Sequence, residues 1–281
     1  MLNNKFFLLG IALLAVSSSA WVIKMFPGTN VITFAFWRMF LASIFVFLLS
    51  YKTIPLFVPN KKMELAGWFL GVHFVLFFKA VELTSVAEAT LLGTTAPIFT
   101  CLYALLYKKK RVSGLVLFGL FLAFLGAGVL INQSSQSESS LLGNVCAVFC
   151  SLAMALVLIV GKEVRKNFSL FDYTRWLFFY ASFAILFISF IAEVSVFSFS
   201  WEEFRWFVFL ALVPTVVGHN IFYYLIKNLS TTTVAAVPLG EPVVSSVGAF
   251  FLFQEPVTLA VILGGSITLF GVFLVIRFGE S

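Results

Sequence analysis

The fold of this chain is decided by a segment that occurs twice. Residues 77–131 read FFKAVELTSVAEATLLGTTAPIFTCLYALLYKKKRVSGLVLFGLFLAFLGAGVLI, and residues 222–276 read FYYLIKNLSTTTVAAVPLGEPVVSSVGAFFLFQEPVTLAVILGGSITLFGVFLVI. A constant offset without a gap places Pro97 on Pro242, and most other positions are apolar in both copies. Internal symmetry of this kind is typical of secondary transporters, in which substrate binds between the two halves.

The composition of the chain indicates a membrane protein. Hydrophobic residues make up 61% of it and charged residues 11%, whereas a soluble domain carries about 25% charged residues. Its net charge of +6 sits between apolar segments, which indicates membrane orientation and excludes nucleic acid as the expected partner. Cys101, Cys146 and Cys150 fall inside apolar runs without metal-ligand spacing, so we expect packing residues there and no metal.

Ten apolar runs each have about 18–23 residues, the length of a helix that crosses a ~30 Å hydrocarbon layer. Because backbone groups in lipid must be satisfied within the segment, helices are the expected structure. We predict an all-α polytopic membrane protein with ten transmembrane helices, called spans 1 to 10. Their predicted ranges are 5–23, 31–50, 65–82, 86–107, 112–131, 141–161, 173–191, 204–226, 232–253 and 258–277. The first run loosely resembles a signal peptide, but nine more runs follow it, which favours a retained helix.

Basic residues predict the orientation of the chain. With the N-terminus in the cytoplasm, the cytoplasmic loops contain the basic residues of 108–111 and 162–166. The only basic residues on the opposite side are Lys24 and Arg205. We therefore expect both termini in the cytoplasm and a location in the bacterial inner membrane. Each repeat has five spans, an odd number, so the second repeat must insert with the opposite orientation in the membrane. The predicted architecture is two inverted five-helix repeats, with boundaries at 1–135 and 136–281.

Short motifs in both copies resemble the EamA branch of the drug/metabolite transporter superfamily. They lie at 80–89 and 95–99 in the first copy, and at 229–236, 241–243 and 254–258 in the second. The resemblance covers essentially the whole chain. It implies ten helices around a central substrate cavity that opens alternately to each side, and a carrier of amino acids, other small metabolites or nucleotide-linked compounds.

The chain departs from this family pattern at one place. The family often carries an acidic residue just after span 4, where this chain has the basic run 108–111, whereas the second copy keeps Glu255. Some family members are assigned S-adenosylmethionine as substrate, which the resemblance makes one candidate here.

Glu241 is the leading candidate for a substrate or proton site. A charge near the middle of the membrane is costly and needs a partner or a purpose. Pro238 and Pro242 flank it, and proline removes a backbone donor, which predicts an irregular helix that lines a cavity. The alternative is an acid buried against a structural arginine or histidine.

A second group of charges is expected toward the outer side. Arg38 in span 2 is the candidate anion binder, because a guanidinium can hold a carboxylate with two hydrogen bonds. Lys79 and Glu82 lie three residues apart on span 3 and can share one face. With Glu88 at the start of span 4, they form a predicted outer gate. The alternative is a salt-bridge set that closes helix ends.

Further candidates for substrate binding are polar or aromatic residues inside the spans. They are His73, Thr94, His219, Asn220, Trp37 and Phe77. The histidines fall at nearly corresponding positions of the two copies and either carry protons or pack. The threonine belongs to a polar stripe on span 4 that either packs or binds ligand. The aromatic side chains either stack on a ligand or face lipid.

The glycines of spans 5 and 10 predict close contact between helices, either within the chain or in a homodimer.

The sequence contains no nucleotide-binding loop, nucleophile elbow or metal motif, so an ATP-driven pump is excluded on this chain, and we expect no cofactor and no enzyme. The leading hypothesis is a secondary transporter for a small polar metabolite, an amino acid or a similar compound such as S-adenosylmethionine in exchange for its product. A lipid-linked substrate flippase, a membrane-embedded enzyme and a non-transporting subunit are the alternatives.

Overall fold

The computed structural model describes residues 2–26, 28–51, 60–84, 86–131, 140–254 and 258–279, and every regular element in these ranges is a helix. Seven spans are continuous helices. They are span 1 (Leu2–Met25), span 2 (Val31–Ser50), span 3 (Lys61–Leu83), span 5 (Gly114–Ile131), span 6 (Leu141–Val164), span 7 (Leu170–Ile191) and span 10 (Leu259–Phe278). The prediction of an all-α membrane protein is confirmed.

The other three spans are interrupted. Span 4 consists of Val86–Gly93, Ala96–Leu102 and the π-helical turn Tyr103–Tyr107. Span 8 consists of Trp201–Leu210, the π-helical segment Ala211–His219 and Asn220–Leu225. Span 9 consists of Thr231–Ala236, the 3-10 turn Val237–Gly240 and Glu241–Phe253. Over the described residues, all spans but span 5 meet the length and hydropathy of a membrane-crossing helix, and span 5 is apolar over Gly114–Val129.

Short polar side chains define where several spans begin. The side chain of Asn30 accepts a hydrogen bond from the backbone N–H of Ile32 at 2.9 Å and caps span 2. Ser169 forms a capping box with Asp172 at the start of span 7, and Ser200 forms another with Glu203 at the start of span 8. These caps satisfy backbone donors that an apolar helix leaves open at its membrane end.

Spans 5 and 10 cross in opposite directions through small residues. A Cβ added to Gly119 would lie 2.8 Å from the carbonyl oxygen of Gly271, and one added to Gly126 would lie 2.5 Å from that of Gly264. As the residue number rises along span 5, it falls along span 10, so the two helices are antiparallel. Because Gly119 corresponds to Gly264 and Gly126 to Gly271 in the repeat, the two copies are inverted. These four glycines are therefore a contact within one chain, and their helix faces are not available for the homodimer that the sequence left open.

The packed core lies on the side of spans 2, 3, 6 and 7. Span 3 packs along spans 6 and 7, and span 2 packs along span 7. Met39, Leu70 and Leu177 are fully buried where these helices meet. Large apolar side chains on the outer faces, among them Phe190 and Leu106, are exposed, as expected where the surroundings are lipid.

Candidate functional site

A central cavity of about 90 Å³ lies between the two copies of the repeat. Its walls come from spans 1, 2 and 6 and from spans 3, 4, 8 and 9, so both copies contribute. The sequence expectation of a cavity between the halves is thus matched by the geometry.

All three interrupted spans turn their irregular segment toward this cavity. Thr94 lies at the break of span 4, His219 ends the π-helical segment of span 8, and Glu241 directly follows the 3-10 turn of span 9. Proline accounts for part of this pattern, since Pro214 lies inside the π-helical segment and Pro238 inside the 3-10 turn. Non-helical backbone at membrane depth is tolerated where it lines a cavity, and transporters place binding sites at such segments.

Arg38 brings a positive charge from span 2 to the cavity wall. The side chain is 3% exposed, and its Nε donates a hydrogen bond to Thr215 Oγ1 at 2.7 Å. Nη1 donates to Ser19 Oγ at 3.2 Å, and the guanidinium lies 4.5 Å above the ring of Phe74. These contacts fix the plane of the guanidinium and leave Nη2 without a hydrogen bond among the described residues.

Glu241 brings a negative charge from span 9 to the same cavity. It is half-buried and lies within electrostatic range of Arg38. None of the ion pairs within 4.0 Å that the described residues form joins the two side chains. The cavity therefore holds two opposite charges that attract each other without direct contact.

His73 and His219 add two imidazole rings to the wall. Nδ1 of His73 lies 3.0 Å from the carbonyl oxygen of Cys150 and 3.2 Å from its Sγ. The ring of His219 packs against Phe74 at a centroid distance of 5.8 Å and against Phe222 at 6.2 Å. The aromatic surface of the cavity is thus continuous from span 3 to span 8.

Corresponding residues of the two copies line the same cavity. Phe77 corresponds to Phe222, and both line the cavity. Ala96 corresponds to Glu241 in the same way, so the acid is present in one copy and replaced by a methyl group in the other. The two copies therefore contribute different charges to the lining, Arg38 from the first copy and Glu241 from the second.

Six of the eight residues expected to bind substrate line this cavity, and two do not. The six are Arg38, His73, Phe77, Thr94, His219 and Glu241. Trp37 instead donates from Nε1 to the carbonyl oxygen of Val196 at 2.8 Å and packs among aromatic rings, which corrects its expected position. Asn220 is 5% exposed and lies behind the wall, because it points to another side of the helix than His219.

Two of the three residues of the predicted gate have described side chains, and these two pair with each other. Lys79 and Glu82 pair at 2.9 Å, with 46% and 53% of their side chains exposed. Both lie on span 3, so this pair does not bridge two helices, and the geometry agrees with the alternative of a surface salt bridge. Glu88 lies in the first turn of span 4, and its side chain falls outside the described part of the chain.

Sequence reasoning missed several lining residues. Tyr223 lies four residues after His219 and shares its helix face, a signal that was available. Ser19 ends a run of three serines inside an apolar helix, which also marks a polar face. Met154 is one of many apolar residues on span 6, and its residue type does not distinguish it from those that face lipid.

The basic end of the molecule is tied across helices. Lys162 Nζ donates to the carbonyl oxygen of Leu229 at 2.6 Å, and Arg165 Nε donates to that of Tyr223 at 3.1 Å. Burial lowers the pKa of the Arg165 guanidinium from its ordinary value. Because Tyr223 also lines the cavity, this tie connects the end of span 6 directly to the cavity wall.

Comparison with known proteins identifies the family. The sequence pattern of the EamA-like transporter family matches residues 5–132 and again residues 141–277. The chain belongs to the EamA-like transporter family. It is therefore a multi-pass membrane transporter, and the resemblance seen in the sequence motifs is confirmed.

Relatives in this family carry the same general description. A protein of Archaeoglobus fulgidus named an uncharacterized transporter is 27% identical over 202 residues, which cover 72% of this chain and 71% of the relative. A second protein of that organism is 22% identical over 239 residues, 82% of this chain and 80% of the relative. A transporter of Synechocystis, also named uncharacterized, is 24% identical over 213 residues, 71% of this chain and 60% of the relative.

One solved crystal structure has a similar fold. It superposes with a TM-score of 0.84 at 13% sequence identity and covers 99% of this chain and 98% of the other. After span 4 of the first copy, where the resemblance predicts an acidic residue, the chain has the basic run 108–111. Lys108 Nζ of this run pairs with Glu163 of span 6 at 3.6 Å. Glu255 corresponds to Lys110 at the repeat offset and lies outside the described residues.

Proposed function

We propose that this EamA protein is a secondary transporter for a small zwitterionic metabolite with an amino-acid core. The observation that carries the proposal is that Arg38 and Glu241 line one cavity but form no ion pair within 4.0 Å among the described residues. A guanidinium suits a carboxylate, and a carboxylate suits an ammonium. A substrate that carries both an ammonium and a carboxylate would bind both residues at once. Arg38 and Glu241 do not form a direct ion pair with each other.

The walls between the two charges suit an apolar or aromatic side chain. Phe77 and Phe222 line the cavity from different copies, and Met154 of span 6 also lines it. Rings of this kind stack on planar groups, and a thioether adapts to irregular shapes. Aromatic and sulfur-containing amino acids fit this surface, and S-adenosylmethionine combines the amino-acid core with a planar base.

The proposed mechanism is alternating access in the inner membrane, with both termini in the cytoplasm as the basic residues predict. An inverted repeat allows the two copies to exchange conformations around a fixed central site. Transport is then driven by exchange of substrate for product or by a proton carried on Glu241. The irregular segments of spans 4, 8 and 9 supply the points at which the halves of a helix move separately.

The test is uptake into liposomes that contain the purified full-length protein. Labelled L-phenylalanine, L-methionine and S-adenosylmethionine are compared, with and without the same unlabelled compound inside. We expect saturable uptake of at least one compound that increases with preloading. Glu241→Gln removes the negative charge without a large change of shape and is expected to reduce this uptake at least about tenfold, the scale of a lost hydrogen bond to a charged group.

The matched control is the pair Lys79→Gln and Glu82→Gln, which neutralises charges on the surface of span 3 and is expected to leave uptake within about twofold. Equal uptake by wild type and Glu241→Gln would remove Glu241 from the mechanism. Uptake of none of the compounds, together with movement of labelled lipid between leaflets, would replace the proposal with a flippase.

A further inference from the structure

The imidazole of His73 is held in one tautomer by its contacts with span 6. A carbonyl oxygen only accepts hydrogen bonds, and that of Cys150 lies 3.0 Å from His73 Nδ1. Two lone pairs at this distance would repel, so the proton is on Nδ1. The Sγ of Cys150, 3.2 Å away, is a second and weaker acceptor for the same N–H.

This tautomer leaves Nε2 with a free lone pair. In a neutral imidazole one nitrogen donates and the other accepts, so Nε2 is an acceptor. No described residue donates a hydrogen bond to it, and it is not among the polar atoms sealed inside the protein. Because His73 lines the cavity, its acceptor is available to a molecule bound there.

Resting on the proposed function, we propose that His73 is a specificity-determining residue that recognises a primary ammonium group through Nε2. Glu241 supplies the negative charge for this group, and both Glu241 and His73 line the same cavity. A carboxylate attracts any cation, whereas a neutral nitrogen acceptor favours a cation that carries N–H bonds.

The class of substrate follows from this division of roles. An α-amino acid has three N–H donors on its ammonium and can satisfy Glu241 and His73 together. Its N,N,N-trimethyl derivative has the same positive charge on nitrogen but no N–H donor. Its methyl groups would bury Nε2 of His73 without a hydrogen-bond donor. Leaving a buried acceptor unsatisfied is costly, so the site is expected to select free amines over quaternary amines.

The test is competition for binding to purified full-length protein in detergent. Labelled L-phenylalanine is displaced by unlabelled L-phenylalanine or by N,N,N-trimethyl-L-phenylalanine, and L-methionine with its trimethyl derivative serves as a second pair. The trimethyl compound is expected to compete at least about tenfold more weakly with wild type, the scale of a hydrogen bond to a charged group. Equal competition by the two compounds would overturn the role of His73 and leave the proposed function standing.

Two variants separate recognition from packing. His73→Asn keeps a donor near Nδ1 for the Cys150 carbonyl but ends before the position of Nε2, so the preference for the free amine is expected to fall below about threefold. His73→Gln can place its amide oxygen near the position of Nε2 and is expected to retain most of the preference. The opposite ranking would assign His73 a structural role through Cys150. Failure of wild type to bind either amino acid would overturn the proposed function and this inference together.

Discussion

The hydroxyl oxygen of Thr268 lies 3.4 Å from the carbonyl oxygen of Ala123, and the two residues are 145 positions apart, at the same place in the two copies of the repeat. A residue meets its own counterpart only on the axis that relates the copies. This contact therefore marks where the pseudo-twofold axis passes between spans 5 and 10, with Gly119 against Gly271 on one side and Gly126 against Gly264 on the other.

Filling this crossing is expected to destabilise the protein. A valine at Gly126 would place its Cβ 2.5 Å from both Gly264 O and Thr268 N, so the helices must separate. The expected loss is about 1–3 kcal/mol, the usual effect of overpacking. Gly128→Val is the matched control because open space surrounds that position on the same helix. Melting curves in detergent should show a lower Tm for Gly126→Val alone, and equal Tm values for the two variants would contradict this packing.

Thr215 is expected to act as a positioning residue for Arg38. Thr215→Val keeps the shape of the side chain but removes the acceptor that Arg38 Nε uses at 2.7 Å. We expect a rise in KM with a smaller change in maximal rate, because the guanidinium loses its fixed plane. Thr174→Val removes a hydroxyl that is equally buried and bonded only to a backbone carbonyl at 3.1 Å. Concentration-dependent uptake by the two variants checks this, and an unchanged KM in Thr215→Val would remove its role.

The tie of Lys162 to Leu229 is expected to stabilise the basic end of the molecule. Lys162→Met keeps most of the side-chain volume but leaves the Leu229 carbonyl, bonded at 2.6 Å, without its donor. An unsatisfied buried acceptor costs about 1–3 kcal/mol. Lys79→Met breaks a pair on the surface of a single helix and should cost less than about 1 kcal/mol. Thermal unfolding in detergent that ranks Lys79→Met as the more harmful change would contradict the assignment.

Phe77 and Trp37 are expected to respond differently to substitution. Phe77→Ala removes a ring from the cavity wall and should raise the KM for an aromatic amino acid about tenfold, the effect of a lost stacking contact and its buried area. Trp37→Phe removes the hydrogen bond to Val196 and part of the packing against Phe199 and Phe204, so it should lower Tm with no change in KM. A KM that rises only in Trp37→Phe would mean that substrate binds outside the central cavity.

The repeat made the fold predictable from the sequence, and the site was predictable in part. The hydropathy pattern gives the ten spans, with span 2 at the predicted residues 31–50. Charges inside apolar runs are rare enough that Arg38 and Glu241 could be selected without a structure. Trp37 could not be placed, because the side of span 2 that faces the cavity depends on the packing of span 8. His73 could be named, but its tautomer depends on a carbonyl 77 residues away.

The difference in charge between the two copies at the cavity has a consequence for the direction of transport. If both copies contributed identical walls, exchanging their conformations would interconvert two states of equal energy. Arg38 and Glu241 have no charged counterparts in the other copy. The residue that corresponds to Glu241 in the repeat is Ala96. The carrier should therefore rest mainly with one entrance open and bind substrate with different apparent affinities from the two sides. Uptake measured separately in right-side-out and inverted vesicles would show this rectification as two distinct KM values, and identical values would show that the two resting states are balanced.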